Sequence, residues 1–220
     1  MIEEFLSDPP LLHSWDGGVT WNTGGFSRRE LEVLIDLVKN EVGPGARVLE
    51  TGAGCSTIAF LIAGAASVTS IAPDQELFER IFSYCRRKSI IYSSLLIKVA
   101  ISEDCLPELA VQLEELGLLN DVVLIDGGHG WPTVFVDFCY GFRSLRKGGF
   151  LVVDDIQLYS VKELARFLSS DLNFKLVKTL PKTLIFQKIS ERRYLPDFGG
   201  QPYIKRKTED DRVAGVAFKL

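Results

Sequence analysis

The chain has 220 residues, 46% hydrophobic and 25% charged, enough for one globular domain with a full core, or one domain plus a tail. Its formal net charge of −4 disfavours a nucleic-acid partner, which usually selects a basic excess. No apolar run reaches the roughly 18 residues that span a bilayer, so no membrane partner is expected. The opening MIEEFLSDPP is acidic and carries no basic start followed by an apolar stretch, so no secretory signal is expected. Cys55, Cys85, Cys105 and Cys139 are too widely spaced for a zinc-type pair and read as reduced thiols of a cytoplasmic protein. The basic runs Arg86-Arg87-Lys88 and Lys205-Arg206-Lys207 read as solvated surface.

Residues 1–25 read as an irregular arm with prolines, glycines and two tryptophans. Ser27 and Glu30 then form a capping-box pattern, and Leu31, Leu34, Ile35 and Val38 follow at helical spacing. Gly43-Pro44-Gly45 ends that helix. From there strands and helices alternate. Strands are expected at 46–50, 67–71, 93–99, 121–126 and 149–155, and helices at 56–65, 74–88, 105–116, 132–146 and 160–169. FKLVKTL and TLIFQKI read as two late strands joined by a turn at Pro181-Lys182. The early strands are continuous apolar runs, as expected when both faces are covered. Alternation of this kind implies a mostly parallel sheet with helices on both faces, and the short last turn implies an antiparallel hairpin at one edge. Residues 26–189 thus form the domain, and 190–220 a charged tail or covering arm.

Ligands of such sheets bind at the carboxyl ends of the strands. Five strand ends therefore matter: Glu50 with the loop 51–56, Ala72-Pro73-Asp74, Ile101-Ser102-Glu103, Asp126 to His129, and Asp154-Asp155. In VLETGAGCST, Gly52 and Gly54 allow a tight turn and close ligand approach, while Ser56 and Thr57 can cap the next helix. The third glycine of a dinucleotide loop is replaced by Thr57, and no lysine is present for a phosphate-cradling loop. Both facts count against a nicotinamide oxidoreductase. Glu50 suits an ammonium or hydroxyl better than a phosphate.

If the fourth and fifth strands are neighbours, their ends lie roughly 5 Å apart and Asp126, Asp154 and Asp155 converge. Clustered carboxylates protonate, spread into solvent or share a cation; oxygen ligands suit Mg²⁺, Mn²⁺ or Ca²⁺ rather than zinc. The plainer alternative is that one aspartate caps a helix and the others are solvated. His129 reads as a general base, because an imidazole titrates near neutral pH, or as surface polarity. Gly127-Gly128 is either a path for backbone near a ligand or a flexible turn. Trp15, Trp21 and Trp131 are pocket or packing residues. His13 reads as surface, and Asp137 as facing solvent or propping the loop before it.

VLETGAGCST resembles motif I of class I methyltransferases that use S-adenosylmethionine, in which an acid precedes a G-x-G loop. The order of elements from about 27 to 189 is similar to that fold, a three-layer α/β/α Rossmann-like sheet, mostly parallel with an antiparallel last strand. ISEDCLPEL resembles the adenine-contacting segment of catechol O-methyltransferase-like enzymes. LIDGGHGW with LRKGGFLVVDD resembles the same enzymes and the related small-molecule and sugar O-methyltransferases. The resemblance implies O-methylation of a small hydroxylated molecule. It implies a cofactor site of Glu50, Gly52, Gly54, Ser56, Thr57, Ser102, Glu103 and Asp126, and a Mg or Mn ion held by Asp126, Asp154 and Asp155, with His129 taking the acceptor's proton. One departure stands out: the second strand ends in Ala72 where the family usually has a ribose-binding acid, and Asp74, two positions on, either substitutes or caps its helix. A degenerate, non-catalytic binding module is the alternative. The arm and tail also allow exchange between subunits of a homo-oligomer.

Overall fold

A computed structural model describes residues 1–14, 16, 18–190 and 197–214. Its sheet contains β1 (Arg47–Thr51), β2 (Ser67–Ala72), β3 (Leu95–Val99), β4 (Asn120–Ile125), β5 (Leu145–Val153), β6 (Phe174–Thr179) and β7 (Leu184–Lys188). The strand order is β3-β2-β1-β4-β5-β7-β6. The first five strands pair in parallel, and β7 is antiparallel to both β5 and β6. The helices are α1 (Ile2–Ser7), α2 (Arg28–Asp36), α3 (Cys55–Ile62), α4 (Gln75–Arg87), α5 (Ser102–Glu115), α6 (Thr133–Ser144), α7 (Tyr159–Leu168) and α8 (Pro202–Ala214). This is the expected three-layer α/β/α sheet with its antiparallel last strand.

The central strands are apolar throughout because alternate residues feed two different cores. In β4, Val122 and Leu124 join the core formed with α1, α2, α3 and α4, whereas Val123 and Ile125 join the one formed with α5, α6 and α7. None of the four is more than 1% exposed. Each such side chain contributes about 1.5–3 kcal/mol by leaving water, so neither face of β4 can turn outward. Strand β3 departs from the expectation of burial on both faces: it is the sheet edge, and Leu96 and Val99 are exposed.

Ser27 caps α2 as expected. Its hydroxyl accepts from the Glu30 amide at 3.3 Å, and the Glu30 carboxylate accepts from the Ser27 amide at 2.8 Å. The helix continues as a π-helical turn, Leu37–Val42, to Gly43. The N-terminal arm is more ordered than expected. Helix α1 buries Phe5 and Leu6 in the core beside Leu12, because an apolar pair on one turn finds partners in α2 and α4. Of the tail, α8 lies over α7: the Tyr203 hydroxyl donates to Glu163, and its ring meets Phe167 at 6.2 Å. Among the described residues no helix is long and apolar enough to cross a membrane.

Register places the strand ends in one row. Thr51 is level with Ile71 in β2 and with Ile125 in β4, and Ile125 is level with Val153 in β5. The next residue along each strand therefore brings Ala72, Gly52, Asp126 and Asp154 side by side. Because β7 runs the other way, with Val153 opposite Leu184, Thr183 falls beside Asp154 and Lys182 beside Asp155.

Candidate functional site

The glycine loop is fastened to the neighbouring strand end. Gly52 has φ +83°, and a Cβ built on it would lie 2.1 Å from the Asp126 carbonyl oxygen. Only a residue without a side chain permits that approach. Gly127 and Gly128 are also closely packed, though against side chains that can give: a Cβ on Gly127 would meet Thr51 at 3.2 Å, and one on Gly128 would meet Thr133 at 2.8 Å. The turn is thus close-packed against the protein. The half-exposed backbone of Gly52 and Gly127 borders the edge of the sheet.

Glu50 is fully buried at the end of β1. Its carboxylate accepts from Ser56 Oγ at 2.7 Å, Thr57 Oγ1 at 2.5 Å and Ser70 Oγ at 2.7 Å. The three side chains assigned to the cofactor from this loop therefore satisfy one another, and what the loop offers a ligand is backbone. Thr57 Oγ1 also accepts from the Gly54 amide at 3.0 Å, closing the first turn of α3. Burial pushes the Glu50 carboxyl up to about 7, against the opposing pull of the three hydroxyls. A raised carboxyl value means that folding takes up a proton. The stability this confers is complete below the ordinary value of 4.5 and is lost as pH rises through about 7. A Glu50→Gln chain lacks that loss. Its melting temperature relative to the parent should climb by several degrees between about pH 5 and pH 8, at about 1.4 kcal/mol per unit; a constant difference would show that Glu50 stays ionised.

The other cofactor candidates are distributed unevenly. Asp74 caps α4, accepting from the Leu77 amide at 3.0 Å, and pairs with Arg80 at 3.1 Å. It therefore follows the capping alternative, and Ala72 is 5% exposed with no acid of its own beside it. Ser102 is the first residue of α5 and is buried, while Glu103 accepts from the Thr133 hydroxyl. Asp137 does not face solvent. It is 0% exposed, accepts from Thr51 Oγ1 at 2.7 Å and stands under Gly127, so it props the loop. Burial raises its carboxyl to about 6, opposed by the Ser102 and Thr51 hydroxyls. His13 is not a free surface residue either: its Nε2 lies 2.9 Å from the Ala53 carbonyl oxygen, directly over Gly54. The arm is held there by Arg80, which donates to the Leu12 carbonyl at 2.8 Å, and by Asn22, which donates to that of Pro10 at 2.7 Å.

At the ends of β4 and β5 the expected convergence occurs, with a different division of labour. His129 Nε2 lies 3.5 Å from Asp126 Oδ1 and 3.7 Å from Asp155 Oδ2. Asp155 reaches this position from a left-handed backbone, φ +57°, a conformation uncommon outside glycine but better tolerated by aspartate. Asp154 instead is 1% exposed and faces the β6–β7 turn, where Lys182 Nζ donates to it at 2.5 Å and the Thr183 hydroxyl also donates. Lys182 further donates to Asp155 Oδ1 at 3.2 Å and to the Gly24 carbonyl at 2.8 Å, and lies over the Phe26 ring. Burial disfavours its charge, but Asp154, Asp155 and Asp126 outweigh this and raise its pKa. In the sequence Lys182 reads as a turn residue and Thr183 as the start of the last strand; antiparallel register makes both part of the site.

Burial raises Asp126, opposed mainly by His129. The Asp126 carboxylate raises His129, against burial. His129 Nε2 is shut off from solvent and faces the two carboxylates at ion-pair rather than ideal hydrogen-bond distance. Asp126, His129 and Asp155, whose ligand atoms lie within 4.8 Å of one another, are a group that could hold a divalent ion. Trp131 is 70% exposed against the Phe135 ring, and Trp21 donates from Nε1 to the Gly18 carbonyl. Trp15 lies outside the described residues.

No family model and no curated protein sequence matches the chain. Solved structures do. A Staphylococcus aureus protein provisionally assigned as a caffeoyl-CoA O-methyltransferase superposes with a TM-score of 0.58 at 14% identity, over 74% of this chain and 84% of its own. A Pyrococcus horikoshii protein provisionally assigned as an RNA methyltransferase gives 0.58 at 13% identity, over 86% and 98%. A methyltransferase from Geobacter sulfurreducens gives 0.54 at 19% identity, over 78% and 81%. With the strand order and the antiparallel β7, these likenesses show that the chain has the Rossmann-like fold of class I methyltransferases.

Proposed function

We propose that the protein is an S-adenosylmethionine-dependent methyltransferase that methylates a hydroxyl of a small molecule, a sugar or a phenol. One observation carries this reading: Gly52 is packed against Asp126, so the glycine loop and the acid–imidazole group form a single site on the carboxyl edge of the sheet. A cationic sulfonium and ammonium suit an acidic edge, and half-exposed glycine backbone lets a ligand come close. Methyl transfer from a sulfonium to an oxygen needs alignment and a deprotonated nucleophile. The acceptor's proton passes to the group Asp126, His129 and Asp155, in which the imidazole is the natural base near neutral pH. Asp126 and Asp155 would hold a divalent ion, which when bound supplies Lewis acidity toward the acceptor hydroxyl. Lys182 neutralises Asp154 and ties the Gly24 segment to the site. The net negative charge favours a small acceptor over nucleic acid.

Calorimetry with S-adenosylhomocysteine, followed by methyl transfer from the labelled donor to a panel of sugars and phenols, tests the reading. Binding at one site per chain is expected. A second reading, a non-catalytic binding module, is favoured by the commitment of Asp74 to its helix cap and to Arg80, which leaves the end of β2 without a ribose acid. A folded chain with a normal melting curve and no affinity for the cofactor would establish that second reading instead.

A further inference from the structure

We propose that the chain carries a second binding site, away from the carboxyl edge of the sheet, and that it takes a free α-amino acid with an apolar side chain. The site is a groove between α2, with the π-helical turn that continues it, and the β6–β7 hairpin. It stands apart from the methyl-transfer reading: its floor residue Phe150 lies four residues before Asp154 in sequence, about 13 Å down the strand.

The sheet is incompletely covered here. Along β7, Leu184 and Phe186 join the core under α6 and α7, while Ile185 faces the other way and joins the core of Phe150 and α2. Strand β6 lies beyond that cover: each of its residues after Phe174 is exposed, Val177 by 42%. The space left between α2 and β6 is a cavity of about 210 Å³. Two backbone irregularities face each other across it. Leu37–Val42 is wound as a π-helix, with the Gly43 amide donating to the Val38 carbonyl at 3.0 Å. In β6 the register skips Val177, with Leu176 opposite Phe186 and Lys178 opposite Ile185. A wide turn and a bulge both re-aim side chains, and both recur at functional sites; here Glu41 of the one and Lys178 of the other line the cavity.

The distribution of charge selects the ligand. Asp36 and Glu41 stand on the helical wall and Lys178 on the strand wall. Among the described residues neither Glu41 nor Lys178 has an ion-pair partner, so opposite charges flank the cavity without neutralising each other. A ligand with a single charge would satisfy one wall and be repelled by the other. A zwitterion satisfies both, its ammonium toward Asp36 and Glu41 and its carboxylate toward Lys178. Between the walls the floor is apolar and buried, with Leu37 at 5%, Phe150 at 9% and Ile185 at 1% exposure. An apolar side chain laid on it leaves water, which supplies the favourable free energy, while the few charged groups fix orientation. A cavity of this size falls below the roughly 300–1,000 Å³ of sites for larger ligands, and so suits one amino acid of leucine's size and excludes a nucleotide.

The test is calorimetric titration of the full chain with L-leucine, glycine, isoamylamine and isocaproate, with no methyl donor present. One leucine per chain is expected, with a Kd of about 1 mM or tighter. Isoamylamine lacks the carboxylate and isocaproate lacks the ammonium; each should bind at least about tenfold more weakly than leucine. Glycine, which has no side chain for the floor, should give no measurable heat. Lys178→Met should weaken leucine by at least about fivefold, so that leucine and isoamylamine bind that chain alike. Asp36→Asn combined with Glu41→Gln should weaken leucine by a similar factor and bring it level with isocaproate. None of the three side chains is buried, so both altered chains should melt with the parent. No leucine binding up to about 10 mM, equal affinity of the parent for leucine and its two singly charged analogues, or a leucine affinity unmoved by either set of substitutions would each overturn the proposal.

Discussion

Gly52→Ala is expected to abolish cofactor binding and to lower the melting temperature by about 6–12 °C, from a destabilisation of at least about 3 kcal/mol. Two costs coincide. The residue has φ +83°, a conformation that costs an L side chain about 1–2 kcal/mol. Its new methyl would lie 2.1 Å from the Asp126 carbonyl oxygen and 2.7 Å from the carbonyl carbon, and neither backbone atom can swing away. Relief would need β1 and β4 to part at their carboxyl ends, which would pull the loop from the acid group. Gly54→Ala is the control: its nearest obstacle is the His13 imidazole at 2.9 Å, a side chain that can move, so a shift of only about 1–3 °C is expected. Differential scanning calorimetry of both chains checks this. A Gly52→Ala chain that melts with the parent would show that the loop and Asp126 are not in contact.

His129→Ala is expected to lower kcat by about 10²–10⁴ while leaving the affinity for S-adenosylhomocysteine within about twofold. Both roles open to this imidazole, proton acceptor and metal ligand, act on the acceptor side of the site. The glycine loop holds its shape through contacts that do not include the His129 side chain: Glu50 with its hydroxyls, Gly52 with Asp126, and Thr51 with Asp137. The ring is half-buried in a loop, with its backbone carbonyl accepting from Ser160, so its removal leaves no large cavity in either core. Initial-rate kinetics beside a calorimetric titration separates the cases; equal loss of turnover and of cofactor affinity would assign the residue a structural role.

Much of the architecture was legible because it depends on patterns local in sequence. Ser27 and Glu30 are three residues apart, so their capping box needs no distant partner. The run Val122 to Ile125 can be buried on both faces only inside a sheet covered by helices, and its end at Asp126 then marks a ligand edge. The same logic located Asp154-Asp155. Where reading failed, the deciding contact was remote. His13 and Ala53 are 40 residues apart, and nothing in the arm's composition announces that its imidazole lies on the glycine loop. For Asp137 the sequence leaves solvent and a loop prop as alternatives, and the Thr51 hydroxyl 86 residues away decides for the prop. Strand β3 has the apolar composition of a buried strand, and only its place at the sheet edge exposes it.

The sequence alone determined which residues stand at the strand ends, because strand length and apolar periodicity are properties of short windows, and it named the glycines, carboxylates and imidazole there. Only the tertiary structure decided how those groups pair. Strand order and direction are set by the packing of whole layers. The reversal of β7 against β5 brings Lys182 and Thr183 to Asp154 and leaves Asp126, His129 and Asp155 facing one another.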